Sequence, residues 1–128
     1  MSDNKFGFEE LEVWKKAREI KIEIAELVKS FPAEEKFKLI DQVIRSSRSI
    51  GNLIAEGHGR FTYPDQIHFC VNARGSLSET MGHLIDAFDC KYISQTQLDQ
   101  WRVKLKDEER LLNGYIKYLR TQRDKENK

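Results

Sequence analysis

Asp41–Arg60, DQVIRSSRSIGNLIAEGHGR, decides the fold. At about 3.6 residues per turn, Val43, Ser47, Ile50, Ile54 and Gly57 fall on one side of a helix, and Asp41, Arg45, Arg48, Asn52 and Glu56 fall on another. One face is small and apolar and must pack. The other carries arginines, an asparagine and a glutamate among serines and glycines that let a second backbone come close, which is the composition of a contact surface.

Working outward, the same periodicity recurs three times. Before this stretch, Val13, Ala17, Ile20, Ile24, Leu27 and Phe31 alternate spacings of four and three, the seam of a helix packed on near-parallel neighbours. This predicts a first helix over about 9–30. Trp14 stands beside that seam as a large core or interface side chain. Phe31-Pro32 closes the helix, because proline disfavours helical backbone in the residue before it. The second helix is expected to start near Glu34 or Glu35, whose charges suit a helix N-terminus. It is expected to stop at Gly57-His58-Gly59, where glycines can take left-handed backbone.

After it, Thr62-Tyr63-Pro64-Asp65 gives a start signal for a third helix, with Thr62 as N-cap. That helix runs to about Lys91 on Ile67, Cys70, Arg74, Leu77, Met81, Leu84 and Phe88. Ser94 and Gln97 form a capping box for a fourth, which runs to about Arg123 on Leu98, Trp101, Leu105, Glu108, Leu112, Tyr115 and Leu119. Residues 1–7 and the polar tail TQRDKENK are expected to be loose, with Phe6 and Phe8 tacking the start onto the bundle. Four amphipathic helices with short connections predict an all-α, up-down-up-down four-helix bundle, one domain spanning 1–128 with a core over about 8–123.

Composition agrees. The 128 residues are 39% hydrophobic and 34% charged with only 7 Gly and 2 Pro, the balance of long surface-charged helices. Lys and Arg number 22 against 21 Asp and Glu, so the formal net charge of +1 offers nucleic acid no strong overall pull. Any such binding must come from local clustering or assembly. The start, MSDNKFGFEE, is polar and acidic, and no apolar run approaches the length of a membrane span. A reduced, cytoplasmic chain with no membrane association is expected. Cys70 and Cys90 lie roughly 30 Å apart along one helix, too far to bond within it, and read as core filler.

Two seam positions carry charge, Arg74 and Glu108. An unpaired charge in a bundle core costs several kcal/mol, so these residues must pair, meet water or face another subunit. The leading reading is an Arg74 ion pair with Glu56 or Glu108; a ligand role for Arg74, or a seam displaced by one position, are the alternatives. No Glu-x-x-His occurs, the three histidines are scattered, and only His83 has a carboxylate, Glu79, one turn away. No phosphate-binding glycine loop and no nucleophile elbow is present. No metal, cofactor or catalytic role is therefore expected. Arg45, Arg48, Arg60 and Arg74 are the candidate phosphate contacts, since a guanidinium binds two oxygens at once. Phe61 and Tyr63 flank Arg60, Tyr118 precedes Arg120, and Arg102, Arg110, Lys117, Arg120 and Arg123 form a loose stripe on the fourth helix.

FEELEVWKKAREI, the Phe-Pro turn, IRSSRSIGNLIAEGHGR and ARGSLSET resemble the small four-helix-bundle proteins encoded in intervening sequences of bacterial 23S ribosomal RNA genes. The resemblance runs from about Phe8 to Leu119. It implies up-down bundles that assemble as homopentameric rings. A related branch serves diversity-generating retroelements, with a basic pentamer that binds nucleic acid and a reverse transcriptase. The matching positions are Arg45, Ser49, Asn52, Ala55, Glu56, Gly57 and Arg60, with Gly75, Ser76 and Glu79 in an Ala-x-Gly-Ser-x-x-Glu pattern. Unlike that branch, this chain is nearly neutral, and five copies carry only about +5, so binding depends on where charge is concentrated.

The expectation is a non-enzymatic, self-associating bundle that binds structured RNA or DNA through Arg45, Arg48, Arg60 and Arg74. Ser49, Asn52, Glu56, Ser76, Glu79 and Glu108 serve an oligomer interface or a structural polar network. The competing expectation is a structural or protein-interaction ring whose arginines bridge subunits.

Overall fold

The computed structural model describes residues 4–127. Four helices build the fold: α1 (Glu12–Leu27), α2 (Leu39–His58), α3 (Tyr63–Asp89) and α4 (Gln95–Glu126). Each packs on its successor and α4 closes on α1, with α2 against α3 the most extensive interface. This is the cyclic arrangement of an up-down-up-down bundle. Met1, Ser2, Asp3 and Lys128 lie outside the described residues.

The core follows the apolar seams. Val13, Ala17, Ile20 and Ile24 from α1 meet Val43, Ile50 and Ile54 from α2, Cys70, Leu77 and Leu84 from α3, and Leu98, Leu105 and Leu112 from α4. The five apolar-face residues Val43, Ser47, Ile50, Ile54 and Gly57 are all buried, and Asp41, Arg45, Arg48, Asn52 and Glu56 are all exposed. Elsewhere the observed seam shifts by one at several positions. Val28 replaces Leu27, Thr80 and Ala87 replace Met81 and Phe88, and Ile116 replaces Tyr115, the displaced residues being half-buried at the rim. On α3 the offset is constant: Cys70, Leu77 and Leu84 keep their places while the second row of the seam is Ala73, Thr80 and Ala87, the small side of the stripe, which lets the neighbouring helices come close.

The same offset places Arg74 outside the core. Ala73 fills the core position and Arg74 is exposed, with no ion pair to Glu56, Glu108 or any other described residue. Glu56 instead lies 3.9 Å from Arg60 on its own helix. Cys70 is buried, which pushes its thiol up to about 11, but Cys90 is exposed and fills no core.

Helix ends depart from expectation for local reasons. A 3-10 turn at Gly7–Glu10 precedes α1, another at Val28–Ser30 ends it, and a third at Ala33–Glu35 delays α2 until Leu39. Glu35 still acts at that N-terminus, accepting from the Leu39 N–H at 3.5 Å and from the Tyr92 hydroxyl at 2.8 Å, so it ties the start of α2 to the α3–α4 loop. At the end of α2, Gly59 keeps φ at −79°, and neither Gly57 nor Gly59 uses left-handed backbone. Left-handed backbone occurs instead at Lys91, φ 65°, just past α3. There Tyr92 N–H donates to Ala87 O and Lys91 N–H to Phe88 O, both at 2.9 Å, the paired bonds of a Schellman stop. Thr62 caps α3 by accepting from Asp65 N–H, and Ser94 and Gln97 form the reciprocal box at α4. The tail expected to fray stays helical to Glu126.

Candidate nucleic-acid interface

Small residues set the spacing of α2 and α3. Gly57 sits where a Cβ would come within 2.8 Å of Phe69 Cβ and 3.3 Å of the Gln66 carbonyl, so the two backbones approach directly there. Further along, Ser49 Oγ and Ser76 Oγ share a 2.9 Å hydrogen bond and Ser46 Oγ and Thr80 Oγ1 share one of 2.8 Å. Thr80 also donates to the Ser76 carbonyl. These hydroxyls are satisfied inside the chain, so Ser49 and Ser76 fix the register of α2 on α3. The Ser46–Thr80 bond is absent from the sequence reading, which put Ser47 and Met81 on the packed faces and left Ser46 and Thr80 off them.

The other motif polar residues sit at the surface. Asn52 is exposed with no partner among the described residues, and Glu79 Oε2 accepts from His83 Nε2 at 3.2 Å in the tautomer that carries its proton there. Glu108 is different. It is fully buried on α4, and neither carboxylate oxygen has a hydrogen-bond partner among the described residues. Burial pushes its carboxyl up to about 9, with Lys16 on α1 pulling down and Glu19 pushing up. At neutral pH it is a neutral acid held in the core.

The four candidate arginines do not share one groove. Arg45 on α2 lies 3.8 Å from Asp41. Arg48 and Arg74 are exposed without a partner among the described residues. The Arg60 guanidinium stacks over Phe69 at 4.5 Å and lies 3.9 Å from Glu56. Arg74 shares a helical stripe with Ser78 and Met81, which line a groove against α4 with Arg102 and Lys106, away from the Ser49–Ser76 side. Exposed pairs as long as 3.8–3.9 Å hold weakly, so a phosphate can compete for Arg45 and Arg60.

What the fold does bring together is net charge. The α2–α3 contacts of Ser49 with Ser76, the approach of Gly51 to Ala17 and the groove between α3 and α4 define equal heights along the bundle. Residues 4–19, 48–76 and 110–127 form one half and hold 12 Lys and Arg against 8 Asp and Glu; residues 20–47 and 77–109 form the other and hold 9 against 12. The halves therefore carry formal charges of +4 and −3 in a chain whose total is +1. Arg48, Arg60 and Arg74 belong to the basic half. Arg45 belongs to the acidic one.

Among the described residues no three His, Cys, Asp or Glu side chains gather as a metal site, and no helix is long and apolar enough to cross a membrane. A search of curated proteins gives no match. Among solved structures, the chain resembles a protein of unknown function from the S23 ribosomal protein family of Bacteroides thetaiotaomicron. The TM-score is 0.75 and the identity 28%, over 82% of this chain and 95% of that one. The family model for the 23S rRNA-intervening sequence protein matches residues 9–114, most of the bundle and both α2 and α3 motifs, and the chain belongs to that family.

Proposed function

We propose that this protein is a non-enzymatic bundle that self-associates, as a homopentamer, and binds structured RNA through backbone phosphates. The separation of charge along the bundle supports the reading most. A neutral chain folded this way presents a basic end, and self-association side by side repeats that end around the assembly. Arg48 and Arg74 supply guanidiniums with no partner among the described residues, and Arg60 one held by a ring and a weak ion pair.

Self-association draws support from the outer face of α3. Val71, Gly75, Ser78, Gly82 and Ile85 recur at four and three on the side away from the core. Val71 and Ile85 are exposed, and a Cβ added at Gly75 or Gly82 would meet nothing. A smooth face of this kind admits a second helix closely. Ile85→Glu should therefore lower the mass of the assembly in light scattering with its helical signal intact. An unchanged mass would remove this face from the interface.

RNA binding is tested by fluorescence anisotropy with a labelled hairpin RNA titrated from low to high salt. A steep fall of affinity with salt is expected, and Arg74→Ala should flatten the log–log slope by about one phosphate contact. No binding at low salt would favour the structural ring, with these arginines between subunits.

A further inference from the structure

We infer that the basic end of the bundle takes unpaired bases of an RNA loop, stacking one on Phe61. The inference rests on the RNA reading above and adds the class of RNA.

Phe61 is 103% exposed, as open as in an extended chain. Its backbone is nevertheless fixed on both sides. Arg60 N–H donates to Gly57 O at 3.0 Å, the Gln66 amide donates to Arg60 O at 2.9 Å, and Thr62 caps α3. A phenyl ring held in water by an ordered turn contributes no packing to the bundle. It is a preorganised apolar plane whose burial awaits a partner.

Its surroundings select that partner. The Arg60 guanidinium, stacked on Phe69, stands next to it in the chain and offers charge to a phosphate. Elsewhere in the basic half, half-buried Tyr63 begins α3, and Tyr115 stacks on the exposed Tyr118 with ring planes 15° apart. Rings and arginines interleaved at a basic end match a nucleic-acid strand whose bases are free to stack, since every base has a π-face. A duplex offers its bases to no such ring, because they are stacked within the helix and its surface is phosphate and sugar. Phe37 is exposed at 85% too, but the Lys36 ammonium lies over its ring at 5.4 Å and it stands in the half of formal charge −3, so it serves as an internal control.

The experiment compares two labelled RNAs of equal phosphate number at one salt concentration, a hairpin with an open loop and a blunt duplex. The hairpin should bind more tightly. Phe61→Ala should weaken hairpin binding about 10-fold, the effect of losing one stacked base, while leaving its salt slope and the duplex affinity unchanged. Phe61→Trp should retain tight binding and Phe37→Ala should change nothing. Salt-dependent binding of both RNAs with equal affinity, indifferent to Phe61→Ala, would overturn the stacking site and leave the phosphate reading standing. Failure of both RNAs to bind at low salt would overturn both. Full exposure of Phe61 keeps the fold out of the comparison, which circular dichroism verifies.

Discussion

Glu108→Leu should stabilise the bundle at pH 7 by about 3 kcal/mol, against the usual direction for a core substitution. Burial holds the native carboxyl protonated, with its pKa at about 9 against an ordinary 4.5. Between those values the native state binds one proton more than the unfolded state. Stability therefore falls as pH rises through that window, by about 1.4 kcal/mol per unit from this group, and the group contributes no slope below it. From pH 4.5 to 7 the accumulated cost is the 3 kcal/mol quoted. Leucine removes the proton linkage and the unpartnered oxygens together, at similar volume. Glu108→Gln removes the linkage but leaves a buried amide without partners. Urea unfolding at pH 5 and pH 8 checks this. The gap between wild type and either variant should widen by several kcal/mol at the higher pH, and a gap that does not change with pH would mean Glu108 is not held neutral.

The second large effect is a pair of opposite signs at two glycines. Gly57→Ala should destabilise by about 1–3 kcal/mol, because the new methyl meets Phe69 Cβ at 2.8 Å and a backbone oxygen at 3.3 Å, forcing α2 and α3 apart. Gly114→Ala adds a methyl to open space in the middle of α4, away from the α3 face proposed for self-association, and should stabilise by about 0.5–1 kcal/mol through the backbone entropy it removes from the unfolded chain. Thermal melts of the two variants beside wild type read the contrast directly. A stabilised Gly57→Ala would mean that the helices are not as closely packed as the Ser49–Ser76 and Ser46–Thr80 bonds require.

Helix number, order and polarity were legible in the sequence because they rest on local signals. Thr62 and Ser94 cap the helices they precede, and Phe31-Pro32 stops the 3-10 turn that follows α1. Seam residues were legible to within one position. Arg74 shows the limit: a residue at the edge of a stripe is one-third of a turn from the core and from water alike, and only the neighbouring helices decide which it meets. Glu108 was legible as an anomaly, since it interrupts an otherwise apolar seam, but its pairing was not. Charge at a seam position implies a partner only where a neighbouring helix supplies one, and α1 presents Lys16 and Glu19 there without a hydrogen bond to it.

The sequence by itself determined four amphipathic helices, their caps and an apolar face on each, because helix period and capping chemistry act over a few residues. Only the tertiary structure decided that Arg48, Arg60 and Arg74 stand in a basic half and Arg45 in an acidic one. That split comes from reversing chain direction at each turn, which sets the start of α1 and α3 beside the end of α2 and α4. Charges spread evenly along the chain are thereby sorted along the bundle, and no window of sequence short enough to read locally contains the sum.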